Sequence, residues 1–330
     1  MKKAVFSGPF DLKIEEVPRP KIGPQDVLLK IKKVGICGTD IHIYKGSLKT
    51  PLPLVLGHEF VGDIIEIGKQ VTRFKIGQKA VAEHVLGCGM CRSCKEGKIN
   101  LCNNSVAIGI NTDGALQEYL SLPQHLVFPL PPSLSYDDGV LVEPISIAVY
   151  AAKKATLKKG ETVAVIGQGP IGLLIDTVVQ AAKARVHGYD IENSRLDYAV
   201  KKGLINESFN TREKLTSQKE SADKVFEVVG LESTLTLALD LVKKGGKIVI
   251  LGVFHKPVSL NMMTIIKNEL EIIGSWTCRD SFPSSINLLT QKKLNTKGFI
   301  THHYPFSQTK QAFEDTLKYP SGRIKTVIEF

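Results

Sequence analysis

The chain has 330 residues, 43% hydrophobic and 23% charged, with a formal net charge of +10. A single hydrophobic core stops growing at about 250–300 residues, so two domains are expected. No run approaches the ~20 apolar residues of a membrane span, and the lysines fall in scattered pairs such as Lys153-Lys154, without the interleaved aromatics of a nucleic-acid surface.

The N-terminus is basic but breaks at Gly8-Pro9 before a signal-like apolar region can develop, so the expected location is the cytoplasm. Residues 1 to 135 alternate short apolar runs, such as 27–31 and 61–68, with Gly and Pro. That texture predicts an irregular β-rich domain. It also carries two fragments of interest, Gly-Ile-Cys-Gly-Thr-Asp-Ile-His over 35–42 and Gly-His-Glu over 57–59, and Leu-Val-Glu-Pro follows over 141–144. A catalytic zinc needs about three protein ligands and one open position. Cys37, His58 and either Glu59 or Glu143 would meet that need. Residue types alone leave the alternatives open: a small buried cysteine, a loop histidine and a helix-start carboxylate.

Between these fragments lies Cys88-x2-Cys91-x2-Cys94-x7-Cys102. Four thiolates in fifteen positions suit a closed tetrahedral zinc site, with no open position for chemistry. The alternatives are four unrelated thiols or an iron–sulfur cluster, but the run lacks the Cys-Pro ending of bacterial ferredoxins.

From residue 160 the rhythm changes to strands alternating with helices: strand 162–166, helix 170–182, strand 185–189, helix 194–202, then strands at 224–229, 247–251 and 271–274. Such alternation predicts a doubly wound parallel sheet. Gly167-Gln168-Gly169-Pro170-Ile171-Gly172 follows the first strand and opens the first helix, the placement that a dinucleotide-binding turn requires. Asp190 ends the next strand, where an acidic side chain bonds the adenosine ribose and favours NAD over NADP. Arg195 lies close enough to meet a 2′-phosphate instead. The last fifty residues predict a helix at 283–292, a strand at 300–304, a helix at 307–318 and a final strand at 325–330.

In this order the motifs resemble the zinc-containing medium-chain dehydrogenase/reductase family across essentially the whole chain, and its sorbitol, polyol and sugar-acid branch in particular. The resemblance implies an α/β protein in which a GroES-like β-rich catalytic domain (1–148 and 287–330) accompanies a Rossmann domain (149–286). It implies two zinc ions per chain. Cys37 and His58, with Glu59 and Glu143 sharing the third-ligand and water-holding roles, would hold the catalytic ion, and Cys88, Cys91, Cys94 and Cys102 the structural one. Thr39 matches the hydroxyl that meets the substrate oxygen, and His42 the outer end of a proton relay. Gly252 and Ser275 match segments that hold the nicotinamide end of NAD. The branch implies oxidation of a secondary alcohol on a polyol, inositol or sugar acid to the ketone, by a homo-oligomer, tetrameric before dimeric, with no nucleic-acid or membrane partner. Thr301-His302-His303-Tyr304-Pro305 is similar to a segment of that branch, with His303 in place of its usual arginine. L-threonine 3-dehydrogenase is the nearest rival. A structural role like that of the lens crystallins has no use for an open metal site.

Overall fold

The computed structural model describes residues 1–213, 218–318 and 322–330. The chain forms two compact units, Met1–Glu143 with Phe282–Gln291 and Lys297–Phe330, and Pro144–Ser281 with Lys292–Thr296. The limits expected from the sequence fall five residues later at both main junctions, 148 against 143 and 286 against 281.

The first unit is built on the long strand Asp26–Ile36, the hub of a seven-stranded sheet. Its N-terminal half pairs with Tyr119–Pro123, and one edge along most of its length with Glu59–Ile67. Its C-terminal half pairs with the last strand, Lys325–Glu329. Val27, Leu29, Ile31 and, past a bulge, Val34 enter the core beside Phe60, Ile64 and Ile328. The register then fixes the chemistry. Gly35 stands opposite Glu59 and Ile36 opposite Thr326, so Cys37, Glu59 and Lys325 meet at one end of the hub. Gly35 has to be glycine, because a Cβ there would strike the Glu59 carboxylate and the Lys325 side chain.

The second unit holds a six-stranded, all-parallel sheet. Its first strand in the chain, Thr162–Ile166, lies between Arg185–Asp190 and Ala222–Glu227. Glu207–Asn210 lies outside the former. Val242–Ile250 and Glu271–Gly274 extend the other side. The chain therefore reverses its direction of winding at Thr162–Ile166, the point where doubly wound sheets open a ligand crevice. The helix Pro170–Ala181 starts there, with proline in its first turn, where the missing N–H costs no hydrogen bond.

The expected elements are present with ends shifted by a few residues: Phe282–Thr290, Ile300–Pro305, Thr309–Leu317 and Lys325–Glu329 close the chain. The strand Glu207–Asn210 is an addition to the expected set; it is a sheet edge whose four residues are exposed or half-buried, so it carries no apolar run. No helix among the described residues is long and apolar enough to cross a membrane.

Candidate functional site

Two groups of side chains that could hold a metal ion lie in the first unit. In the cysteine lobe the four sulfurs of Cys88, Cys91, Cys94 and Cys102 all lie within 4.8 Å of one another, and none is in a disulfide. Backbone N–H groups of Cys88, Cys91 and Cys94 point at sulfur atoms of the cluster at 3.4–3.5 Å. Hydrogen bonds from the backbones of Met90 and Cys91 lower the Cys88 thiol to about 6. Desolvation and the neighbouring sulfurs push Cys94 up to about 12. Crowded thiols cannot all ionise without a cation among them, so the donor set fits a thiophilic divalent ion. Gly87 is required by packing, since a Cβ would lie 2.8 Å from the Cys94 sulfur.

The dispersed set is drawn together by the hub strand. Donor atoms of Cys37, His58 and Glu59 lie within 4.8 Å of one another. Cys37 caps the helix Gly38–Tyr44, and its backbone N–H donates to Asp40 Oδ2 at 2.8 Å. The other oxygen of Asp40 lies 3.5 Å from His58 Nδ1. This orients the imidazole and leaves Nε2 available to a metal, the usual carboxylate–histidine arrangement around a metal ion. Burial disfavours a charge on His58, yet Asp40 and Cys37 outweigh it and hold the ring well above its ordinary value. Lys325 is buried against Glu59 as an ion pair and stays an ammonium, because Glu59 and Cys37 outweigh its desolvation. Burial raises Glu59 above the carboxylate range, and the nearby Glu143 adds to the effect against the pull of Lys325.

Glu143 opens the helix Val142–Ala155 and is equally buried. It joins a different neighbour: its Oε1 lies 3.3 Å from Nδ1 of His84, a buried ring whose centroid is 5.2 Å from that of His58. Burial raises Glu143, but the contact and charge of His84, followed by His58 and Lys325, outweigh it and hold the carboxyl below the ordinary range. Asp40 Oδ1, His58 Nδ1, Glu59 Oε2 and His84 Nδ1 are buried atoms without a well-formed hydrogen bond. Buried polar atoms are almost always satisfied, so this cluster of exceptions suits a bound cation. Thr39 lies in the same capping turn, half-buried. His42 Nδ1 is 3.1 Å from Ser47 Oγ.

In the second unit the glycine turn has the shape its motif demands. Gly167 is at φ +100° and donates its N–H to Tyr189 O at 2.7 Å. A Cβ on Gly172 would collide with Gly167 O, whereas one on Gly169 would meet nothing, leaving an open approach at the helix start beside Pro170 and Ile171. Backbone N–H groups at such a start bind phosphate. Asp190 is buried and accepts from the N–H groups of Gln168 (2.7 Å) and Glu192 (2.9 Å), with Arg195 Nη1 at 3.4 Å. Both Asp190 and Arg195 line a cavity of about 450 Å³, together with Gly167, Thr211, Val229 and Leu237. Gly252 packs against Gly230 and Glu227, and Ser275 N–H donates to Ile250 O at 2.8 Å.

Residues 23–132 match the alcohol dehydrogenase GroES-like domain, and residues 170–291 the zinc-binding dehydrogenase domain. The sorbitol dehydrogenase of Bacillus subtilis is 35% identical over 99% of this chain and 97% of its own length. An L-threonine 3-dehydrogenase of Mesorhizobium japonicum is 36% identical over 94% of each chain. Among solved structures, a zinc-binding dehydrogenase from Sinorhizobium meliloti bound to NADP superposes with TM-score 0.93, at 27% identity over 100% of this chain and 99% of its own. An alcohol dehydrogenase from Escherichia coli complexed with NADH does so with TM-score 0.95, at 28% identity and the same coverage. The chain belongs to the zinc-containing medium-chain dehydrogenase family. It is an NAD(P)-dependent oxidoreductase of the alcohol dehydrogenase type.

Asp40, His84 and Lys325 were not among the expected site residues. Asp40 lay inside the Gly-Thr-Asp motif and could have been read as a helix-capping carboxylate. Nothing in the local sequence marks His84 or Lys325, since their roles depend on sheet register and burial.

Proposed function

We propose that this chain oxidises a secondary alcohol on a polyol, inositol or sugar acid to the ketone, with NAD as hydride acceptor. The observation that carries the proposal is the grouping of half-buried Cys37 with buried His58 and Glu59, the His58 ring lying against Asp40. Cys37, His58 and Glu59 would hold a catalytic zinc, and the four lobe cysteines a structural one, two ions per chain. Bound there, zinc would act as a Lewis acid that lowers the pKa of an alcohol. Asp40 fixes the His58 ring, Lys325 neutralises Glu59, and neighbouring charges hold the Glu143 carboxyl below its ordinary range. Thr39 is placed to take the hydroxyl proton and His42 to pass it towards solvent.

Asp190 supports NAD, because its carboxylate would repel a 2′-phosphate; its contact with Arg195 ties down the nearest cation that could welcome one. We assign Gly167, Gly169, Pro170, Ile171, Gly172, Gly252 and Ser275 to the cofactor. A homotetramer acting in the cytoplasm completes the proposal. The specific observation favouring a second reading, L-threonine 3-dehydrogenase, is the like identity to relatives of that name. An NAD-reduction screen across polyols, inositols, aldonates and threonine decides between them. Turnover confined to threonine would overturn the polyol assignment.

A further inference from the structure

Beneath the glycine turn lies a polar pair that the cofactor motif does not call for. Asp176 and Gln168 are both fully buried. Asp176 is the only charged residue of the helix Pro170–Ala181, and neither of its side-chain oxygens has a well-formed hydrogen bond. Gln168 Oε1 is a third buried oxygen in the same condition. Gln168 Nε2 donates one N–H to Val165 O at 3.3 Å, so the side chain folds back over the strand it follows. Gly188, opposite Val165 in the next strand, makes room for it: a Cβ there would lie 3.1 Å from Gln168 Cδ. The amide lies beside the Asp176 carboxyl and acts on it.

The helix packs on the strands Thr162–Ile166 and Arg185–Asp190. The first has no titratable residue. On the second, Arg185 is exposed, and His187 and Tyr189 stand against Phe209, on the side away from Gly188. Asp190 is taken by the N–H groups of Gln168 and Glu192. Burial therefore drives the Asp176 carboxyl well above its ordinary value, and no charged side chain among the described residues opposes it. Three acceptors without a donor become a complete set when one proton is added. A carboxylic acid donates through its O–H and accepts through its carbonyl, the complement of an amide.

We propose that Asp176 is a positioning residue of the cofactor turn: as a carboxylic acid it pairs side by side with the Gln168 amide, giving its O–H to Oε1 and accepting the second Nε2–H. The pair fixes the residue whose backbone N–H Asp190 holds at 2.7 Å. The proposal rests on the reading of the glycine turn as the site of NAD. Gln168 stands between Gly167 and Gly169, so a shift of its side chain moves the backbone that has to approach the pyrophosphate.

The test is a difference infrared spectrum, wild type minus Asp176→Asn, beside fluorescence titration with NADH. At about pH 7 exposed carboxyls are ionised and cancel in the difference, which should hold the carbonyl band of one carboxylic acid. In a Gln168→Leu background the band should persist and move to higher frequency, as the carbonyl loses the amide N–H. Asp176→Leu should raise the Kd of NADH about tenfold, since it leaves a buried amide half-satisfied at the turn. Asp176→Asn should restore the wild-type Kd, because a second amide offers the same donor and acceptor. Asp176→Leu combined with Gln168→Leu should recover most of the loss, both polar partners being gone. If Asp176→Leu fails to fold, Gln168→Leu answers the same question through the band shift and a like rise in Kd. The absence of an acid band, a band that Gln168→Leu leaves in place, or a wild-type Kd in Asp176→Leu would each overturn the proposal while leaving the cofactor reading intact. A wild-type protein that binds neither NADH nor NADPH would overturn that reading and this proposal with it.

Discussion

The cysteine lobe and the Cys37 centre both gather side chains that could hold a metal ion, and they do so in opposite ways. The lobe draws four sulfurs from fifteen consecutive positions and surrounds them with their own backbone N–H groups. The centre draws its groups from across the chain, from Cys37 to Lys325, and lets the pairing of three strands bring them together. Four thiolates close a site, whereas a mixed set of sulfur, nitrogen and oxygen with salt-bridged carboxylates leaves it open. The sulfurs of the lobe are thus brought together by local sequence alone, the donors of the centre only by the folded sheet.

If the comparison holds, substitutions separate the two. Cys37→Ala or His58→Ala should lower kcat/KM by about three orders of magnitude, the several kcal/mol of transition-state stabilisation that a metal supplies. One zinc per chain should remain, and the melting temperature should change little. Elemental analysis beside kinetics checks this, and an active variant would remove the assigned role. The lobe should give the inverse pattern. Cys91→Ala or Cys94→Ala should lose one zinc and lower the melting temperature by about ten degrees or more, because metal binding there is folding free energy. Turnover per folded molecule should fall far less. A lobe variant that melts like the wild type would erase the distinction between the two sites.

The same contrast explains what could be read from the sequence. The lobe was legible because its ligands are neighbours in the chain, and the glycine turn because its spacing reflects backbone contacts within one strand–turn–helix unit. The central strands Thr162–Ile166 and Val242–Ile250 were legible from apolar runs, while the sheet edge Glu207–Asn210, with no buried face, was not. Lys325 illustrates the harder limit. A lysine at the start of a strand reads as a solvated residue, yet it is 4% exposed, because Thr326 pairs with Ile36 and places its neighbour beside Glu59. Asking which of Glu59 and Glu143 stands with Cys37 and His58 likewise needed positions across the fold.

Asp190 lies between these extremes, a residue identified by spacing whose contacts add something the spacing did not contain. Its carboxylate serves the Gln168 and Glu192 N–H groups as well as Arg195. Asp190→Gly should therefore do two things together: raise the KM for NAD by loosening the turn, and shift the NAD/NADP ratio of kcat/KM about tenfold towards NADP by freeing Arg195, worth about 1.4 kcal/mol. Measuring both constants with both cofactors checks it; a rise in KM with an unchanged ratio would leave Asp190 a structural role only.

The smallest effect tests the premise that a buried carboxylate needs a cation. Glu59 has Lys325, whereas Asp176, buried on the helix Pro170–Ala181, has neither a cation nor a well-formed hydrogen bond among the described residues. Burial drives its carboxyl well above the ordinary value, and the nearby Gln168 amide opposes this only in part. A carboxyl whose value is higher folded than unfolded stabilises the fold in acid and loses that contribution as pH rises, because the unfolded chain ionises first. Asp176→Asn carries no such charge. Its stability relative to the wild type should grow by up to about 1.4 kcal/mol per pH unit above about pH 5, until the folded carboxyl itself ionises. Denaturant midpoints of the two proteins between about pH 5 and about pH 8 measure this difference. A gain that is the same at every pH would mean that Asp176 is already ionised in the fold, and that this interior tolerates an unpaired charge of the kind that Lys325 answers at Glu59.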